Sequence, residues 1–453
     1  MRASLIGCLL VVAVVLLPAA PAQAIPAFAR KYGTSCQTCH VVYPKLTPFG
    51  EAFRRNGFKF PGRDEDYIKQ EMVPLGQDAY RSVFPNAVWP GVVPTSPPLA
   101  LGFNGFVGFH PDKSSAAAQA DNGSRLTLGS LIEEAHLWAG GSFSEHISYF
   151  GELTFADGGA EIEHAELHFN DLVSAQHLVN VYVGKGAPTL TSFGAHSSYI
   201  ADAIMPTLSV TALYGTASGS FNVLGQYNLV EVNGMANGRF IYSVGATSGE
   251  NIDARTAENV HGHLGFKLGG MRLDGEGDTT GNAEKPWAET ALTVDVFGYH
   301  SVSRYTNAGL MMDLSDRANV LGANARGTGG SFEINAGVYQ EWHDHATATG
   351  GAVKALAEYE ELSYIVFPWL VPAVRLEWAS LLPDGGSRIT DLKILAGAAA
   401  LVRPNLKLTL VGQVEHADGA PEGGWGAAGG SAAPTAASVT ELESIQLGVA
   451  FAF

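Results

Sequence analysis

The chain has 453 residues and a formal net charge of −17 at neutral pH. That balance excludes a nucleic-acid binder, whose surface must answer phosphate with positive charge. With 46% hydrophobic residues, 54 glycines and only 16% charged residues, the composition suits a β-rich chain better than a helical one.

In chain order, the first element is an export signal: Arg2, an apolar run from Leu5 to Leu17, and Ala22-Gln23-Ala24 ahead of Ile25 predict cleavage after Ala24. The apolar run is too short to span a bilayer. Cys8 leaves with the signal, so Cys36 and Cys39 are the mature chain's cysteines and no disulfide can form elsewhere. They stand in Cys36-Gln37-Thr38-Cys39-His40, two thiols two residues apart followed at once by an imidazole, the spacing of covalent haem c attachment. On this reading Cys36 and Cys39 form the two thioethers and His40 is the proximal iron ligand. A thioredoxin-like redox pair needs a βαβ context that is absent, and a zinc site needs a second ligand pair nearby.

Thr47 followed by Pro48 predicts a short capped helix with Phe49 and Phe53 at helical spacing, ended by Asn56-Gly57. The segment 25–63 is too small to wrap a haem alone, so its cover must come from elsewhere. It carries Arg30, Lys31, Lys45, Arg54, Arg55, Lys59 and Arg63 against Glu51, whereas residues 64–453 carry 19 basic and 43 acidic residues. A basic plug on an acidic partner is electrostatically matched. After a linker at 64–98, apolar and polar residues alternate in segments of about ten residues, the length a tilted strand needs to cross a membrane. Leu99, Leu101, Phe103, Val107 and Phe109 share a face, as do Ile147, Tyr149, Leu153 and Phe155, then Ala165, Leu167 and Phe169. The last strand alternates Ile445, Leu447, Val449, Phe451 and Phe453, and a terminal Phe there resembles the assembly signal of bacterial outer-membrane barrels.

Short turns are expected at 142–145, 235–238, 327–330, around Pro368 and at 403–405. Long connections are expected at 111–123, 186–224, 249–258, 302–315, 344–350 and 418–437. Together with the alternating segments, and a connection at 271–287 that is long for a periplasmic turn, these predict an all-β membrane protein, an outer-membrane barrel of about sixteen strands over 99–453 with a short helical N-terminal segment. Such a barrel encloses an aqueous lumen. Glu134, His136, Trp138, Ser148, Glu152, His164, Glu166 and His168 fall on its inward faces, a polar wall that can also line a cation path or give iron a ligand. The 274–278 acidic stretch and Trp342-His343-Asp344-His345 are further places where metal cations can gather.

The motif is followed by Tyr43-Pro44-Lys45-Leu46, Phe49-Gly50, Phe53 and Asn56-Gly57-Phe58. This string resembles the haem segment of the fused outer-membrane cytochrome-porins, the family that includes iron-oxidising monohaem cytochromes. The specific match covers residues 27–60. Val181-Tyr182-Val183-Gly184-Lys185 and Gly238-Arg239-Phe240-Ile241-Tyr242 are also similar to phosphate-selective porins. The resemblance implies one haem c in the outer membrane, its segment in the periplasm or barrel lumen. It also implies electron transfer between an extracellular donor, Fe(II) included, and a periplasmic cytochrome c, with Fe(III) as the outside acceptor if the direction reverses. One haem is shorter than the apolar band of about 25 Å, so it sits inside the lumen or the donor enters the barrel.

The distal ligand stays open among Met72, Met205, His196, His136, His164 and His168, with an unligated sixth position as a further option. Three functions follow: an inward electron-transfer cytochrome, a diffusion porin with a structural or sensory haem plug, and an outward route to external acceptors.

Overall fold

The computed structural model describes residues 26–453 apart from 63, 75, 77, 88–91, 96, 111–125, 129–132, 157–158, 174–176, 207–222, 249–257, 277–284, 286, 308–311, 347–349 and 419–438. The expected export signal therefore lies outside the described residues, as do the 111–123 connection and nearly all of those at 249–258 and 418–437.

Strict alternation gives each strand one apolar and one polar face, and closing the sheet removes the unpaired edges that a membrane does not tolerate. The strands are β1 (Leu99–Phe109), β2 (Glu134–Ser142), β3 (Ile147–Ala156), β4 (Gly159–Phe169), β5 (Asn180–Gly186), β6 (Tyr227–Ala236), β7 (Phe240–Thr247) and β8 (Asn259–Gly269). They continue with β9 (Glu289–Asn307), β10 (Met312–Gly330), β11 (Phe332–His343), β12 (Val353–Tyr364), β13 (Leu370–Pro383), β14 (Ile389–Arg403), β15 (Leu406–Asp418) and β16 (Val439–Ala452). All neighbours pair antiparallel into one closed barrel. A three-residue segment, Leu126–Leu128, pairs with the far end of β1 beyond β2 and extends that line, so sixteen strands cross. Closure is β16 on β1, from Ile445↔Phe109 to Ala452↔Gly102, and the main chains of Phe453 and Leu101 exchange hydrogen bonds of 2.8 and 2.7 Å. The Phe103 ring stacks on Phe451 and Phe453 at this seam.

The barrel is apolar outside and polar within. On β6 to β8, Val230, Val244 and Leu264 are 56%, 58% and 50% exposed, while Glu231, Ser243 and His263 on the other parity are buried. Among the described residues no helix is long and apolar enough to cross a membrane; strands do the crossing.

The expected turns at 142–145, 235–238, Pro368 and 403–405 fall where strands meet, and the turn expected at 327–330 sits at Ser331. Residues 302–315 differ from expectation. They are mostly strand, because β9 and β10 stay in register from Glu289↔Gly330 to Asn307↔Met312, 19 residues each and far more than a membrane crossing requires. Two outer connections, at 157–158 and 384–388, are too short to read as loops, and the turn at 170–179 was not foreseen either.

The connection after β5 folds into the lumen, since its backbone amides answer carboxylates on the wall. Thr189 N–H donates to Glu231 at 2.9 Å, Ser192 N–H to Asp295 at 3.0 Å and Tyr199 N–H to Glu361 at 3.3 Å. Arg375, fully buried, binds Glu377 and Glu361 at 2.6 and 3.3 Å and donates to the Ile204 carbonyl at 2.8 Å. Removing one partner of such a buried network costs on the order of 3–5 kcal/mol because the others keep their charge without an answer. Arg375→Met is therefore expected to lower thermal stability and expose residues 187–206 to protease, both readable on detergent-solubilised protein by a melting curve and a digestion time course.

Candidate functional site

The N-terminal segment docks at the turn end of the barrel. It contains helix α1 (Ala27–Tyr32), a single turn Cys36–Thr38, a hairpin of His40–Val42 with Lys45–Leu46, and helix α2 (Pro48–Arg55). Helix α2 starts as its sequence prescribes: Thr47 Oγ1 accepts from Gly50 N–H at 3.0 Å, and Asn56 closes the far end. Phe28, Tyr32, Phe49, Phe53, Phe58 and Phe60 pack edge-to-face and stacked beneath it, including Tyr32 on Phe60 at 4.0 Å between ring centres. This cluster gives the small segment a core of its own.

The Cys36–His40 turn is locked onto that core. Thr47 N–H donates to the Cys39 carbonyl at 2.9 Å and Thr47 Oγ1 to the Thr38 carbonyl at 3.0 Å. Helix α2 lies so close that a Cβ on Gly50 would sit 2.0 Å from the Cys39 carbonyl oxygen, so only glycine fits there. His40 Nδ1 meets the Pro44 carbonyl at 3.0 Å. With the proton on Nδ1, that contact fixes the ring and leaves Nε2 for a metal, the usual arrangement of an imidazole ligand. Cys36 and Cys39 are not disulfide-bonded. Burial raises the Cys36 thiol, and burial with Cys36 nearby pushes Cys39 up to about 12. A catalytic redox pair needs lowered thiol pKa values, which these cysteines do not have. Burial also lowers His40, against the opposing effects of the Pro44 carbonyl and Glu51, which favours the neutral imidazole that ligates iron. The donor set thus fits a haem c held by Cys36, Cys39 and His40.

The plug touches the wall around most of its circumference. Tyr43 meets Trp138 of β2 at 6.0 Å, Phe58 stacks on Phe150 of β3 at 5.4 Å, and Gln37 donates to the Pro368 carbonyl at 2.8 Å. Val41 and Val42 pack with Leu395, Ala399 and Leu401 of β14. Asn56 donates to the Asp274 carbonyl at 2.9 Å, and Arg272 pairs with the Asp274 side chain at 2.5 Å. Asp274 thus holds the plug at the turn end and does not serve as an outward cation collector, and Asp278 lies outside the described residues. Nor is Trp342-His343-Asp344-His345 an open collector, because His343 is buried between Asp316 at 2.7 Å and Glu341 at 2.8 Å.

From the other side the plug meets the inward connection. Gly194 N–H donates to Glu51 at 2.9 Å, while buried Lys45 pairs with Glu333 and donates to the Ser197 carbonyl at 2.6 Å. His196 lies between these two anchors. Its Nδ1 meets the Asp202 carbonyl at 3.1 Å and the Asp202 carboxylate at 3.7 Å, and its side chain is 50% exposed. The other distal candidates are committed elsewhere. His164 and His168 clamp Glu166 at 2.6 and 2.7 Å, with His168 stacked on Tyr182 at 3.8 Å. Met205 is buried in a cluster with Phe297 and Tyr339, and Met72 lies on a separate ribbon paired with residues 92–94. His136 meets Glu152 and Thr154, each at 3.0 Å, and stacks on Trp138 at 5.1 Å.

A second cluster joins His136 and Glu152 to Glu163, their ligand atoms all within 4.8 Å of one another. Glu163 was not among the expected lumen residues, since it shares parity with the lipid-facing Ala165 and Leu167. A register shift between Glu152 and Leu153 re-aims it: Glu152 pairs with His164 and Leu153 with Ile162, which leaves Glu163 as the extra residue of a bulge. Acids on lipid parity at Glu161 and Glu163, with Ile162 between them on lumen parity, were the available warning.

No protein-family model and no curated protein matches the chain. Solved structures do. OmpT of Vibrio cholerae folded in vitro is 12% identical, with a TM-score of 0.51 over 78% of this chain and 96% of that one. The same protein expressed in the outer membrane is 13% identical, with a TM-score of 0.50 over 78% and 97%. An anion-selective porin from Comamonas acidovorans is 12% identical, with a TM-score of 0.51 over 78% and 98%. The chain is an outer-membrane β-barrel of porin-like fold.

Glu51 makes the docking pH-dependent. Burial alone would raise it, but Arg54, Arg55 and Arg326, with the Gly194 amide, bring it down to about 2. A carboxylate lowered on folding stabilises the docked form above its free value of 4.5, and that contribution is lost as pH falls towards 2. Pepsin cleavage within residues 25–62 is expected to rise across this window, and Glu51→Gln is expected to be cleaved readily throughout it.

Proposed function

We propose that this protein is a monohaem c-type cytochrome fused to an outer-membrane porin-like barrel, and that it passes electrons between an extracellular donor, ferrous iron foremost, and a periplasmic cytochrome c. The carrying observation is the Cys36–His40 turn with the His40 ring held by the Pro44 carbonyl, docked at the turn end of the barrel beneath the inward connection. When bound there, haem c supplies a one-electron couple.

The chain's own residues have defined tasks on this reading. Cys36 and Cys39 would tether a haem and His40 would ligate its iron, while Gly50 and Thr47 keep the turn rigid. His196 is the distal ligand this reading favours: it is anchored on both sides to the plug, its Nδ1 is engaged by a backbone carbonyl, and its side chain remains half exposed. The barrel and plug limit water at the site, which together with ligand identity sets the potential.

The likeness to porins favours a second reading, a diffusion pore in which the haem is a structural or sensory plug. On this reading the plug's wall contacts on β2, β3 and β14 and at the turn before β13 would hold it as a fixed constriction of the pore.

In oriented vesicles, Fe(II) added outside is expected to bring up the reduced haem bands within the stopped-flow trace, and Cys36→Ala to lack normal attachment. Failure of Fe(II) with rapid oxidation of pre-reduced haem by external Fe(III) would reverse the direction, and inertness to both, with steady ion conductance, would leave the pore. His196→Ala is expected to convert a low-spin haem spectrum to high-spin; an unchanged spectrum would remove His196 from the ligand set.

A further inference from the structure

We infer that His136, Glu152 and Glu163 form a lumenal binding site for a divalent transition-metal cation, the seat of the reducing ion on the outer side of the haem motif. The inference rests on the electron-transfer reading for its purpose but not for its chemistry. Two carboxylates and one imidazole are the mixed oxygen and nitrogen donors that suit Fe(II) and Mn(II), whereas soft ions prefer thiolates. Their ligand atoms already converge within 4.8 Å, which is close enough for one ion to draw them together.

Two observations beyond that convergence point to a ligand. First, regular alternation would send Glu163 to the lipid, where an acid is costly, yet a bulge confined to this point of the β3–β4 pairing turns it to the cluster. Bulges gather next to functional sites because they re-aim one side chain in this way.

Second, the site stands at the end of a continuous line of rings. His136 stacks flat on Trp138, with 5.1 Å between ring centres and 5° between planes. Trp138 meets Tyr43 at 6.0 Å, and Tyr43 meets His40 at 5.4 Å. Gly102 makes room for this, since a Cβ there would fall 2.0 Å from the Trp138 ring. Chain direction places the cluster toward the outer loops: β2 runs from Glu134 at the loop end to Ser142 at the turn end, with His136 near its start. His136 thus stands nearer the outer loops than Trp138, which meets the plug at Tyr43. An ion held there that loses one electron has packed side chains between it and His40, with no need to diffuse further.

The test uses the purified full-length protein and Mn(II) as a redox-inert probe, read by the loss of the free-ion electron paramagnetic resonance signal. Wild type is expected to bind one Mn(II), and Glu163→Gln and Glu152→Gln are each expected to weaken it at least about tenfold, the loss seen even for residues that merely support a metal ligand. Glu65→Gln, on an exposed turn of the plug, is expected to change nothing. Absence of bound Mn(II) in wild type, or equal binding in all four proteins, would overturn the site. A haem spectrum taken on the same samples separates the two claims. Haem without site-dependent Mn(II) binding sinks this inference alone, and site-dependent binding without haem upholds it while sinking the electron-transfer reading. With both present, Glu163→Gln is expected to slow haem reduction by Fe(II) at least about tenfold and leave reduction by dithionite unchanged; equal slowing of both would overturn the assignment of this site to the reducing ion.

Discussion

Charge inside a closed wall is the constraint from which the rest of this structure follows. Alternating strands that show Val, Leu and Phe to lipid must turn their other parity inward, and here that parity carries Glu231, Asp295, Glu333, Glu361 and Arg375. A buried charge without an answer costs far more than a paired one returns. The chain answers these charges from within. Backbone amides of the inward connection take Glu231, Asp295 and Glu361, and Lys45 of the plug takes Glu333. Wall residues His261, His263 and Arg375 pair with the same carboxylates, so plug and connection complete the answer as well as fill the lumen.

The same constraint couples the parts. Glu51 on α2 binds an amide of the inward connection while Arg54, Arg55 and Arg326 surround it, so the helix that supports Cys39 from below is fastened to the loop that carries His196. Geometry at the Cys36–His40 turn thereby depends on residues about 150 positions away. The aromatic line from His40 through Tyr43 and Trp138 to His136 is a second coupling, made of rings that pack between plug and wall. On the proposed reading, both bind the redox segment to the barrel more tightly than a tethered domain would be bound.

Much of this was legible because it rests on local rules. The Cys36–His40 spacing, the Thr47 cap and the alternation of β1 to β4 are short-range signals, and the structure forms helix α2 and a sixteen-stranded barrel where they indicate. The errors have a common origin. Residues 302–315 read as loop because apolar and polar residues do not alternate regularly there, yet a hairpin that extends past the membrane needs no apolar face. Connections at 157–158 and 384–388 were missed because two strands can be joined by a turn at the outer end as readily as at the inner. The 274–278 stretch could gather cations only if it faced outward, and composition carries no information about which end of the barrel a connection occupies.

Sequence by itself determined the strand parity, the helix cap, the cysteine and imidazole spacing and the opposite charges of plug and barrel, since each depends on residues within a few positions or on simple counting. Only the tertiary structure decided that the connection after β5 folds inward, that His196 lies between two plug contacts while His164, His168 and Met205 are spent elsewhere, and that a single bulge brings Glu163 to His136 and Glu152. Those outcomes depend on register and on pairing between distant segments, and a shift of one residue in either inverts which face a side chain shows.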